Sequence, residues 1–253
     1  KLHDDGTGDW LPLVHGQGPL TAENGFADQG EVLIKARLAA DALGATKMDR
    51  PEDIEASPVT GKVYSVMTNN TARTPEQIDP ANPRPHNVWG HVIEQTEADG
   101  DNAATNFTWE IFIQCGDPAI PEHEAYYAGY DMERVSPISS PDNLAFDREG
   151  NCWIATDGLQ KGLEGNDGLF AVPVEGPERG YLRQFMSAPR GAEVCGPEFN
   201  PDFTSLFLAI QHPGEGSRSM AQDDLLSTWP DGGVPRPSVI AIRRSSGNGQ
   251  IGS

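Results

Sequence analysis

The sequence is poor in cysteine, in basic residues and in long apolar runs, and each shortage excludes a class of protein. Its three cysteines are too few for a disulfide framework. Lysine and arginine together number 18 against 38 acidic residues, which gives a formal net charge of −20. This charge argues against binding to nucleic acid and to anionic membranes, because both would repel it. No apolar run approaches the roughly 20 residues that cross a bilayer.

Two catalytic motifs are also missing. The sequence has no Gly-x-x-x-x-Gly-Lys-Ser/Thr loop to hold a nucleotide's phosphates, so nucleotide-driven phosphoryl transfer is not expected. It has no Gly-x-Ser-x-Gly turn either, which argues against a serine hydrolase.

Turn residues, in contrast, are abundant, with 28 glycines and 21 prolines spread along the chain. This composition favours many short strands over long helices. Three segments repeat one order of features: an acid, a short apolar stretch, a turn, and a strand that ends on polar residues. Their strands lie at 63–70, 152–158 and 206–212. Repeated units of a few strands indicate the blades of a β-propeller, in which equivalent carboxylates converge on a common axis.

Other segments complete the predicted fold. Further strands are expected at 8–14, 90–95, 108–113, 168–172, 181–186 and 237–242. One short helix is predicted over 30–43, because this stretch is alanine-rich and is followed by Gly44. The fold class is therefore all-β, a single β-propeller domain over residues 1–253. Closed propellers have about four to eight blades, so three units predict only part of the ring, in an N-terminally truncated portion of a longer protein.

Seven short segments, taken in order, resemble the PhoX family of alkaline phosphatases, a group of secreted bacterial phosphatases. They lie at 37–53, 68–70, 82–84, 140–144, 153–158, 193–196 and 211–215. The resemblance implies a six-bladed propeller with a cluster of calcium and iron that hydrolyses phosphate monoesters. It also implies export, and hence a periplasmic or extracellular location.

The resemblance further implies roles for individual residues. Glu52 and Glu193 match carboxylates expected to hold iron, although Glu193 lies ahead of strict register with the other two units. Asp49, Asp53 and Asp142 are candidates for calcium, and Arg190 for holding the substrate phosphate.

Elementary chemistry agrees with these roles, since iron(III) and calcium are hard cations that prefer carboxylates and arginine offers a planar fork to two phosphate oxygens. Structural roles compete with them. Glu52 and Asp53 would cap a turn, Asp142 would brace a blade, and His212 would be a satisfied structural histidine.

Two departures from the family pattern bear on the site. Cys195 stands where the family usually has threonine. The family's N-terminal half, which supplies a cysteine ligand to iron, would precede Lys1.

The sequence thus predicts a metal-dependent phosphomonoesterase acting on small-molecule phosphate esters, as a monomer. Two alternatives stay open. A Ser-Pro-Asp-Asn-Leu segment followed by a Gly-x-x-Trp-Ile strand also resembles the gluconolactonase–regucalcin group of propeller lactonases. The other alternative is a calcium-binding propeller without catalytic activity, because propellers have many functions.

Overall fold

The computed structural model describes residues 1–219, 221–246 and 249–252, and in these residues the chain forms three antiparallel sheets. The first has six strands, in the order β1 (Thr7–Asp9), β5 (Asn106–Gln114), β4 (His91–Glu97), β3 (Val63–Met67) and β2 (Pro51–Ala56), with β6 (Tyr126–Tyr127) beside β5. The second has four, in the order β10 (Arg183–Ser187), β9 (Gly168–Val172), β8 (Cys152–Thr156) and β7 (Pro141–Phe146). The third has three, in the order β11 (Glu193–Phe199), β12 (Ser205–Gln211) and β13 (Ser238–Arg243).

The all-β prediction is confirmed, and the strands follow the predicted segments closely. Four strands, β2, β6, β7 and β11, are additional to the predicted ones, and the strand expected over 8–14 ends at Asp9. Pro12 explains the early end, because proline has no backbone N–H to donate to a sheet. Each sheet is open in the residues that the structure describes, so closure into a propeller ring stays a prediction.

The second sheet lies between the other two and is buried on both faces. Strand β8 shows why, since every one of its residues is buried. Successive strand residues point to opposite faces. Cys152 and Ile154 therefore pack with the first sheet, around Tyr64 of β3, whereas Trp153 packs with the third sheet, around Leu208 of β12. The continuous apolar run of β8 thus reflects two separate hydrophobic interfaces.

The predicted helix over 30–43 is not continuous. The chain forms α1 (Gln29–Ile34) and α2 (Ala36–Leu43), separated by Lys35 with φ −97° and ψ 31°. The Lys35 ammonium donates to the carbonyl of Gly25 at 2.9 Å, which ties the break to the preceding loop. The break lets both helices pack on one small core of Leu20, Phe26, Val32 and Ala39.

The predicted end of the helix is correct, since Gly44 closes α2 with φ 74°. A third short helix, α3 (Leu159–Gly162), was not predicted. No helix in the described residues is both long and apolar enough to cross a membrane.

Candidate metal and phosphate site

Three of the predicted ligands occupy equivalent positions at the starts of neighbouring strands. Glu52 is the second residue of β2, Asp142 the second of β7, and Glu193 the first of β11. Strand β7 contacts both β2 and β11, so the three strand starts lie side by side. The packing of the sheets therefore brings together carboxylates that are far apart in sequence.

The backbone ahead of each carboxylate has the same unusual conformation. A residue with positive φ stands two positions earlier in every case: Arg50 (49°), Ser140 (55°) and Gly191 (70°). A β-bulge then follows Pro51 in β2 and Pro141 in β7, and such bulges redirect side chains. Positive φ is costly for arginine and serine, and such strain is typical of functional sites.

The carboxylates at these strand starts influence one another electrostatically. Burial, as the largest cause, and the charges of Glu52, Asp157 and Glu193 together raise the pKa of Asp142 to about 6, while Arg50 opposes them. Burial also raises the pKa of Glu193, again with a contribution from Asp157. Four acidic groups thus share one partly buried region, which we call the acidic site (Glu52, Asp142, Asp157 and Glu193).

Asp157 is the member of the acidic site that sequence reasoning missed. It directly follows β8, and its backbone N–H donates to Ser140 at the kink before β7. The sequence held a signal for it, because each repeated strand was expected to end on polar residues. No role was assigned because nothing in the sequence shows that the end of β8 lies beside the start of β11.

Arg50 provides a cation at the acidic site. Its guanidinium donates to Glu52 Oε1 at 3.1 Å and to Asn69 Oδ1 at 3.2 Å, and about half of its side chain is exposed. The arginine that the family resemblance implies for the substrate phosphate is Arg190. Arg190 is exposed, and its guanidinium makes no hydrogen bond to the part of the chain that the structure describes.

Asp49 and Asp53 are engaged elsewhere. Asp49 is fully buried, where its Oδ1 accepts from Arg73 at 2.5 Å and its Oδ2 from Asn87 at 3.0 Å. Asp53 accepts the backbone N–H of Ile54 and, at 2.8 Å, that of Leu144 in the second sheet. These contacts make Asp49 part of an internal ion pair and Asp53 a brace between two sheets. Their calcium role stays a prediction.

Cys195 lies beside the acidic site but is not activated. Its half-buried sulfur lies 3.7 Å from Gln211 Oε1. Burial, as the largest cause, and the charge of Glu193 together raise the pKa of its thiol to about 11. The thiol therefore stays protonated at neutral pH.

The acidic site fits hard cations in the chemistry of its donors, since carboxylate oxygens suit both calcium and iron(III). Mutual repulsion and burial raise the pKa of Asp142, and a bound cation would relieve both effects. However, no three His, Cys, Asp or Glu side chains in the described ranges are close enough together to hold one metal ion. These residues therefore offer part of a coordination shell.

Comparisons with known proteins point to one family. The sequence profile described as alkaline phosphatase PhoX matches residues 1–214. Among solved structures, the chain is similar to Pseudomonas fluorescens PhoX in complex with vanadate, a transition state analogue, with 39% identity and a TM-score of 0.78. The match covers 97% of this chain and 42% of that one, so the chain spans less than half the length of this relative. No curated protein matches the chain.

Proposed function

The chain belongs to the PhoX family of alkaline phosphatases, and on this basis we propose that it forms part of a metal-dependent phosphomonoesterase. The substrates would be simple phosphate esters, from which inorganic phosphate is released. The observation that carries the proposal is the convergence of Glu52, Asp142 and Glu193 at three adjacent strand starts. A carboxylate cluster of this kind suits cations, and phosphate esters need their charge neutralised before attack.

Three residues of the acidic site then have proposed roles. Glu52 and Glu193 would hold iron and Asp142 calcium, in agreement with the hard character of their oxygens. Bound cations would neutralise the charge of the ester and lower the pKa of a coordinated water. Asp49 and Asp53 are further candidates for calcium, with carboxylates that also serve the ion pair and the brace.

Two arginines are candidates for orienting the phosphate group, because a guanidinium matches two of its oxygens. Arg190 is exposed and lies close in sequence to Glu193. Arg50 is already held against Glu52. Substrate binding would draw on one or both of them.

The three sheets would be blades of a propeller, with residues 1–253 forming one domain of a ring completed by further chain. The hydrophobic cores on both faces of the second sheet support this arrangement. Export to the periplasm or beyond and a monomeric state are further proposals that rest on family membership.

The test measures metal content and p-nitrophenyl phosphate hydrolysis together, on this chain and on a form extended at its N terminus. We expect iron, calcium and turnover in the extended form, and a loss of both metal and activity in Glu193→Gln. Glu122→Gln, which neutralises an exposed acid outside the acidic site, is the matched control and should behave as wild type.

Three results would contradict the proposal. If both forms were metal-free and inactive, the family relationship would be evidence of the fold and not of the function. Lactone hydrolysis in place of phosphatase activity would select the lactonase alternative. Tight calcium binding without turnover would indicate a protein that binds but does not catalyse.

A further inference from the structure

Two donors converge on a single oxygen of Glu193. Gln211 Nε2 donates to Glu193 Oε2 at 2.8 Å, and His212 Nε2 lies 3.1 Å from the same oxygen. With its proton on Nε2, the imidazole is a donor to the carboxylate. Neither contact uses Oε1. The Glu193 side chain is largely buried, with 13% of it exposed, so these two contacts restrict its orientation strongly.

The backbone around His212 is fixed to the segment that leads into Glu193. In the turn after His212, the backbone N–H of Gly214 donates to the carbonyl of Arg190 at 2.9 Å. The backbone N–H of Glu215 donates to the carbonyl of Gly191 at 3.1 Å. Gln211 pairs with Glu193 between β12 and β11. The imidazole and the carboxylate are thus held by one connected piece of backbone.

His212 itself has a strained conformation, with φ at 30°. Such values are uncommon for residues other than glycine and cost of order 1–3 kcal/mol. In this conformation the ring lies against Glu193, and its Nδ1 lies 3.5 Å from Glu215 Oε2.

We infer that His212 is a positioning residue that fixes the orientation of Glu193 toward the cation of the acidic site. The inference rests on the proposed function, in which Glu193 is a ligand. Hydrogen bonds from outside the coordination shell orient ligands, and their loss typically lowers metal affinity by about 10- to 100-fold.

The test titrates the protein with terbium(III), a hard cation, and follows its luminescence. His212→Asn removes the imidazole but tolerates the positive φ, since asparagine favours the left-handed region, and its short amide does not reach Glu193. We expect this variant to bind terbium about 10- to 100-fold more weakly. His212→Gln, whose amide nitrogen can replace Nε2, should restore most of the affinity.

Two controls separate positioning from a structural role. His3→Asn makes the same change in a partly exposed histidine that is paired with Asp9, and it should leave binding unchanged. In a Glu193→Gln background, His212→Asn should cause no further loss, because the group it positions is gone.

Each outcome decides the question. Absence of terbium binding by the wild type would overturn the metal site and, with it, the inference. Wild-type binding that is equally strong in His212→Asn would overturn the inference alone. An equal loss of affinity in the Glu193→Gln background would show that His212 acts through general stability, which also overturns it.

Discussion

Replacing Asp53 with alanine should destabilise the protein by about 2 kcal/mol, because Asp53 joins two sheets. Its Oδ2 accepts the backbone N–H of Leu144 in β7 at 2.8 Å, across the contact between the first and second sheets. Leu144 is buried, with 4% of its surface exposed. Its N–H would therefore lose this acceptor in a place that water reaches poorly.

The magnitude follows from the two hydrogen bonds that Asp53 accepts. A hydrogen bond to a charged group contributes roughly 1.5–3 kcal/mol, and a buried donor left without a partner costs a similar amount. The second bond, from Ile54, contributes little, since Ile54 is exposed and water can replace the carboxylate there. The loss should lower the melting temperature by about 4–8 °C in a domain of this size.

Urea unfolding followed by tryptophan fluorescence measures the change. Glu55→Ala removes an exposed acid from the same strand and should alter stability by no more than about 0.5 kcal/mol. The brace would be refuted if Asp53→Ala matched this control. A large loss of calcium affinity at unchanged stability would instead show that Asp53 acts as a calcium ligand and not as a brace.

Two further predictions concern buried ionisable groups. Glu94 is 3% exposed and accepts hydrogen bonds from Lys62, Tyr64 and Arg179. Glu94→Ala should lower the free energy of unfolding, measured in urea, by about 3 kcal/mol, because these groups are left unpaired. A change below about 1 kcal/mol would contradict this. Burial lowers the pKa of His91 to about 4, below the value of about 6.5 in an unfolded chain. The unfolded state therefore binds a proton that the folded state does not, and stability should fall by up to about 1.4 kcal/mol per unit as the pH drops from about 6.5 toward 4. The slope should be correspondingly shallower in His91→Gln, and equal slopes in the two proteins would show that His91 does not titrate in this way.

Much of the fold could be predicted from local sequence, because a strand leaves a local pattern. The alternation in β5, where Phe107 is buried and Thr108 and Glu110 are exposed, is visible without coordinates. The continuity of the helix over 30–43 was harder to judge. Helix propensity gave no sign of the break at Lys35, which serves packing around Leu20 and Phe26.

The candidate site was predicted in part. The repeated acids drew attention to Glu52, Asp142 and Glu193, and the family resemblance suggested their chemistry. Their equivalence became visible only in the backbone, where a positive-φ residue precedes each by two positions even though Glu193 is out of register in sequence. Asp157 and Arg50 join the site through contacts that no local pattern encodes.

The sequence by itself determined the charge, the strand periodicity and the recurring acids, since each of these is a property of neighbouring residues. Only the tertiary structure decided which carboxylates are engaged by other groups. Asp49 is paired with Arg73, and Asp53 accepts a hydrogen bond from Leu144, which lies 91 residues away. A hydrogen-bond partner at that distance is chosen by how sheets pack, so identical acids in one short segment acquire different roles.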